Sequence, residues 1–220
     1  MVGRVIAIGD IHGCAAALAA LVEAVRPGPD DTLVPLGDSI DRGPDSRGVL
    51  DQLLALSGRC QLVPLLGNHE ELLLAARSDA WSLEFWLACG GRATLASYGQ
   101  DAGLAAIPAA HWAFLEGCPK VYETSTHIFA HAKEGFRLPQ EPADGRPLWP
   151  RFSGKVGVVG HTAQRSGEIL DEGFLKHIDT SCYGGGWLTA LEVTTGQVWQ
   201  ADHRGKLRQA AADRGIPEEG

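Results

Sequence analysis

Short apolar runs alternate with amphipathic stretches through the first third of the chain. Residues 4–8 (RVIAI) form an apolar run of strand length, and residues 14–25 place Leu18, Leu21, Val22 and Val25 on one helical face. Residues 32–36 predict a second strand. Residues 46–56, with Val49, Leu50, Leu53 and Leu54 inward, predict a second helix. A third strand at 61–66 and a helix running through 72–76 complete a β-α-β-α-β-α series, which implies largely parallel strands joined by right-handed crossovers.

Beyond residue 80 the pattern changes. Residues 81–116 predict short helices broken by Gly90-Gly91 and by Pro108. Strands follow at 121–124, 127–130, 156–159, 174–178, 188–193 and 198–201, with a proline-containing loop at 133–151 of a length that is often functional. Helices with strands first and strands later predict an α/β (α+β) fold, a four-layer α/β/β/α sandwich of two mixed sheets flanked by helices. No internal repeat or long linker divides the chain. Residues 1–204 are expected to form one domain, and 205–220 a polar, frayed tail.

Composition narrows the function classes. The 220 residues carry a formal charge of -8, which disfavours broad binding to nucleic acid or to an anionic membrane. The N-terminal apolar run is too short for a signal peptide and no stretch approaches a membrane span. The five cysteines (Cys14, Cys60, Cys89, Cys118, Cys182) are dispersed and form no C-x-x-C pair, so they read as free thiols in a reducing cytosol. The expected location is cytoplasmic, with no obligate partner.

Five polar segments each follow a predicted strand: GDIHG at 9–13, GDSIDRG at 37–43, GNHE at 67–70, His131-Ala132, and GHT at 160–162. Sites in α/β sheets form outside the carboxyl ends of the strands, so the five can converge. Asp10, His12, Asp38, Asn68, His131 and His161 offer carboxylate, imidazole and amide oxygen without a thiolate, a donor set that suits Mn²⁺, Fe or Zn²⁺. One shared carboxylate can bridge two such ions roughly 3.5–4 Å apart, the spacing that clamps an in-line displacement at phosphorus.

In this order the segments resemble the metallophosphoesterase (calcineurin-like) superfamily, and within it the phosphoprotein phosphatase branch, most of all its small bacterial and phage serine/threonine phosphatases. WLACGG at 86–91, LWPR at 148–151 and IDTSCYGGGWLTAL at 178–191 extend the likeness nearly end to end. The resemblance implies two divalent metal ions, Mn²⁺ first with Fe or Zn²⁺ as alternatives. Asp10, His12 and Asp38 would hold one. Asp38, Asn68, His131 and His161 would hold the other, with Asp38 bridging. Asp41 and His69 match the family's acid pair, Arg42 its phosphate-gripping arginine, and Arg151 a second one beside the divergent Pro150. The implied reaction is hydrolysis of a phosphate ester by a hydroxide that bridges the two metals.

Elementary chemistry supports these roles. Two cations make hydroxide available near neutral pH. A planar guanidinium binds two phosphoryl oxygens at once. His69, next to a ligand in sequence, can protonate the leaving oxygen while Asp41 orients its ring. Other conspicuous residues read as structural. His111, His127, His177 and His203 match no ligand motif, Cys14 is a small residue opening a helix, and Glu70 supports a helix N-terminus. Trp81, Trp86 and Trp112 read as packing anchors, Arg47 as an exposed helix-start charge, and Tyr183 as a weak candidate near the site.

Three functions fit: a phosphomonoesterase acting on phosphoserine, phosphothreonine or phosphotyrosine, a symmetrical dinucleoside polyphosphate hydrolase, and a non-catalytic binder of phosphorylated partners. Every matched metal and acid position is intact, which disfavours the third. The resemblance favours the first over the second, because symmetrical dinucleoside tetraphosphatases typically lack an acid at the position of Asp41 and tend to end the third motif in Asp, where this chain has GNHE. An acid at Asp41 also suits a serine alkoxide, a poor leaving group that needs a proton. The substrate is then a phosphorylated protein or a small phosphate ester.

Overall fold

The computed structural model describes residues 3–132 and 154–209. Among the described residues ten strands form two five-stranded sheets, and their arrangement as two mixed sheets flanked by helices is the one the pattern predicts. The first sheet is built on β1 (Val5–Ile8), β2 (Thr32–Pro35) and β3 (Gln61–Leu62), which run parallel. Helix α1 (Ala15–Val25) connects the first two strands and α2 (Ser46–Leu56) the next two. Strand β3 is shorter than the sequence suggests, yet Val63 and Leu65 still donate to the carbonyls of Leu33 and Pro35, so the chain runs extended up to Gly67.

Helix α3 (Asn68–Ala75) then opens directly on GNHE. It leads to α4 (Ala80–Trp86), a π-helical turn (Leu87–Gly91), α5 (Arg92–Tyr98), a 3₁₀ turn (Leu104–Ala106) and α6 (Ala109–Glu116). The second sheet follows with β4 (Val121–Glu123), β5 (His127–Ala130), β6 (Val156–Val159), β7 (Leu170–Asp171, not anticipated from sequence) and β8 (Leu175–His177). The chain returns to the first sheet with β9 (Leu188–Glu192) and β10 (Val198–Ala201). The strand orders are β10-β9-β1-β2-β3 and β4-β5-β6-β8-β7. Strands β5, β6 and β8 are parallel, and β4 and β7 are antiparallel edges.

Side-chain alternation explains the layers. In β1, Ile6 and Ile8 face α1 and join Leu18, Leu21, Val49 and Leu53, while Ala7 faces the other way and meets Val34, Phe129, Val158 and Leu191 between the sheets. The small Ala7 leaves room for Phe129. Each fully buried Leu, Ile or Phe in these clusters contributes about 1.5–3 kcal/mol. A third cluster (Ile40, Leu50, Leu73, Trp86, Ile107, Leu115) holds the central helices against the loop after β2.

All five cysteines are free thiols. No helix among the described residues is long and apolar enough to cross a membrane. Residues 205–209, the start of the stretch read as a tail, lie against the domain: Leu207 bridges Ala201 and the Arg208 guanidinium sits 5.4 Å over the Trp187 ring. Trp81, expected to anchor packing, is instead 75% exposed and stacks on Phe85.

Candidate active site

The six parallel strands deliver their following loops to one rim. Asp10 and His12 follow β1, Asp38, Asp41 and Arg42 follow β2, and Asn68 and His69 open α3 after β3. His131 follows β5 and His161 follows β6. The loops are tied to one another. Ile11 and His12 both donate to the Asp38 carbonyl (3.1 and 2.8 Å), and Asp45 donates to Gly13 (2.9 Å). Gly43 is required where these loops cross, because a Cβ there would lie 1.8 Å from the His12 carbonyl oxygen.

His12, Asp38, Asp41, Arg42 and His161 all have positive φ, between 43° and 71°. Such backbone costs about 1–3 kcal/mol at each non-glycine position and persists where the surroundings over-determine it, as at functional sites. Strain gathered on the residues singled out by their chemistry supports a site.

His131 donates its Nδ1 proton to the Leu36 carbonyl at 2.9 Å, which leaves a lone pair on Nε2. That nitrogen lies 3.0 Å from Asn68 Oδ1, 3.1 Å from His161 Nδ1 and 3.3 Å from Asp38 Oδ1. His161 Nδ1 is itself 3.0 Å from the same amide oxygen. Electron-pair donors thus crowd one point. His12 follows the same logic: its Nδ1 donates to the Ile40 carbonyl (2.9 Å), and its Nε2 stands 3.5 Å from Asp38 Oδ2. His12, Asp38 and His69 form one potential ion-binding group and Asp38, His131 and His161 another, with Asp38 common to both. Asp10 is buried and turned toward the His161 backbone, whose N–H it accepts at 3.0 Å.

The electrostatics fit a cation. Burial, then the charges of Asp179 and Asp38, hold the Asp10 carboxyl well above the usual carboxylate range, and burial likewise raises Asp38. Burial pushes His12 down to about 3 and His131 down to about 4, so both imidazoles are neutral near pH 7, the form in which an imidazole can bind a metal. Crowded carboxylates beside neutral imidazoles repel one another until positive charge is placed among them. The oxygen and nitrogen donor set suits Mn²⁺, Fe or Zn²⁺.

Beside this cluster, His69 is fully enclosed and its Nδ1 lies 2.8 Å from Asp41 Oδ2, while its other ring nitrogen points back toward Asp38 at 3.9 Å. Arg42 reaches the cluster with Nη1, 3.0 Å from His12 Nε2. The sequence-expected residues Asp10, His12, Asp38, Asp41, Arg42, Asn68, His69, His131 and His161 therefore converge. Arg151 and the 133–151 loop lie outside the described residues.

Three residues do more than the sequence reading allowed. Glu70 accepts from Gly67 (2.9 Å), Asp38 (2.8 Å), Ser39 (2.9 Å) and Ile40 (3.3 Å), so it pins the loop that carries Asp38 as well as the start of α3. Trp86 packs fully buried, yet its indole also donates to Asp41 Oδ2 at 2.9 Å. Asp179, directly after β8, brings a further buried carboxylate beside Asp10. Its signal was an apolar strand ending in an acid, Ile178-Asp179, the same grammar as the other loops. Two of the remaining histidines have structural partners: His111 contacts Tyr98 (2.6 Å) and Asp51 (3.0 Å), and His127 contacts Thr126 (2.9 Å).

The family model of the calcineurin-like phosphoesterases matches residues 3–176. Serine/threonine-protein phosphatase 1 of Salmonella typhimurium is 32% identical over 208 residues, covering 84% of this chain and 90% of that protein. The symmetrical bis(5'-nucleosyl)-tetraphosphatase of Acidovorax is 44% identical over 70 residues, covering 31% of this chain and 24% of that protein. Among solved structures, a chain provisionally assigned as a diadenosine tetraphosphatase superposes with a TM-score of 0.65 at 25% identity, covering 91% of this chain and 94% of its own. The cold-active protein-tyrosine phosphatase of a psychrophilic Shewanella shares the fold, with a TM-score of 0.60 at 18% identity and coverage of 94% and 80%.

Proposed function

The chain belongs to the calcineurin-like phosphoesterase family, and we propose that within it this protein is a phosphomonoesterase acting on phosphoserine and phosphothreonine. The hydrogen-bonded pair His69–Asp41 beside the ligand cluster carries this reading. A phosphate ester of serine or threonine leaves as an alkoxide, a poor leaving group that needs a proton, whereas the leaving group from a dinucleoside polyphosphate is a nucleotide phosphate that does not. A relative from Salmonella that is alike over most of its length carries the name of a serine/threonine phosphatase, which supports the same choice.

In this reading Asp10, His12 and Asp38 would hold one divalent ion, and Asp38, Asn68, His131 and His161 would hold the second, with Mn²⁺ the expected metal. When bound, such ions supply Lewis-acid polarisation of the phosphoryl oxygens and lower the pKa of coordinated water. The protein's own groups do the rest. Arg42 offers two parallel N–H donors to the phosphoryl oxygens and orients phosphorus over the cluster. His69 delivers a proton from Nε2 to the ester oxygen as the P–O bond breaks, and Asp41 fixes the ring through Nδ1.

The test is a parallel measurement of kcat/KM on a phosphoserine peptide and on diadenosine tetraphosphate, with Mn²⁺ added. The peptide is expected to be the better substrate by about 10-fold or more, the scale of discrimination set by a leaving-group acid. A faster tetraphosphate reaction would overturn the assignment in favour of a nucleotide hydrolase.

A further inference from the structure

Asp41 is the meeting point of more donors than its pairing with His69 requires. Its Oδ2 accepts from His69 Nδ1 (2.8 Å) and from Trp86 Nε1 (2.9 Å), and its Oδ1 accepts from Thr94 Oγ1 at 2.6 Å. Its backbone N–H is held by Ser46 Oγ (3.0 Å) and again by Thr94 Oγ1 (2.9 Å), and the two hydroxyls contact one another at 2.9 Å. Asp41, Ser46, Trp86 and Thr94 are all fully buried. Both donors come from one segment, the end of α4 through the π-helical turn into α5. Gly90 in that turn, at φ 127°, accepts the Arg42 N–H at 3.3 Å, and Gly91 lies so close to the indole that a Cβ there would be 2.3 Å from the ring. Single π turns inserted in helices are frequent at functional sites.

We infer that Thr94 and Trp86 are positioning residues for proton delivery to the leaving group, acting through Asp41 on His69. A carboxylate with only the imidazole as donor could rotate about χ2 and swing the ring. Donors on both oxygens remove that freedom, and they come from a helix pair whose buried Trp86 packs in an apolar cluster with Leu50, Leu73, Ile107 and Leu115 of the neighbouring elements. The same segment steadies Arg42 through Gly90, so the phosphate grip and the acid are referenced to one support. This inference rests on the reading of His69 as the leaving-group acid.

The experiment compares Thr94→Val, which is nearly isosteric but lacks the hydroxyl, with Thr94→Ser, which restores it. Trp86→Phe is measured alongside, so that a folding defect in one position leaves the other informative. Each is assayed with saturating Mn²⁺ on a phosphoserine peptide and on p-nitrophenyl phosphate, alone and in a His69→Asn background. Thr94→Val is expected to lower kcat on the peptide by about 10- to 50-fold with KM within about 2-fold, and kcat on the aryl ester by less than about 3-fold. Thr94→Ser should return within about 3-fold of wild type, and Thr94→Val should cost less than about 2-fold more once His69 is gone. Equal losses on both substrates, or a full multiplicative loss in the His69→Asn background, would overturn the inference and leave Thr94 a structural support. Equal losses for His69→Asn itself on the two substrates would remove the acid reading, and this inference with it.

Discussion

At the scale of single residues, the chemistry of the site was legible and its supports were not. Asp10, His12, Asp38, Asn68, His131 and His161 announce themselves jointly, because five polar segments each follow a strand in one family order, whereas any one of them alone reads as a turn. Glu70, Trp86 and Thr94 do not, because a glutamate on a helix, a tryptophan in an apolar stretch and a threonine mid-helix each have an ordinary explanation. Only three-dimensional placement shows that their hydrogen bonds end on Asp38 and Asp41. Arg42→Lys replaces a planar fork by a point donor, so the KM for p-nitrophenyl phosphate should rise by about 10-fold, the cost of one lost charge-assisted bond. A KM within twofold of wild type, in steady-state assays, would show that Arg42 does not bind the phosphate.

At the scale of elements, periodicity located the strands and helices and erred at their ends. The third strand is cut to Gln61–Leu62, and α3 starts four residues before the apolar period does, at Asn68, because Glu70 accepts the Gly67 N–H and lets the helix begin on a polar turn. Strand β7, only two residues long and exposed, had no pattern to reveal it. The register of β1 against β2 is fixed at its open end by Asp31, which accepts from the Arg4 backbone (2.8 Å), Arg4 Nη2 (2.7 Å) and Gly28 (2.9 Å). The Arg4 guanidinium holds the Asp31 carboxyl down at about 2. Because its folded value is depressed, this contact stabilises above the ordinary carboxylate range and is lost as pH falls through about 2. Asp31→Asn should therefore cost about 1–2 kcal/mol at pH 7, with the half-exposed Arg4 keeping the figure low, and less at pH 2.5. Urea unfolding at the two pH values reads this directly. An unchanged gap would assign the contact's worth to something other than charge.

At the scale of the molecule, two sheets that pack face to face bring the carboxyl ends of six parallel strands to one rim, and a chain of net charge -8 assembles there a cluster of buried carboxylates and neutral imidazoles. That arrangement is self-repelling without cations, so metal binding is the claim on which hydrolysis, phosphate grip and acid geometry all depend. Asp38 stands in both potential ion-binding groups, which makes it the residue to remove. Elemental analysis after equilibrium dialysis against Mn²⁺ should find about two ions per wild-type chain, the stoichiometry of a dinuclear phosphoesterase site, and less than about one in Asp38→Asn. A wild-type chain that retains no metal, or an Asp38→Asn chain that retains as much as wild type, would contradict the account.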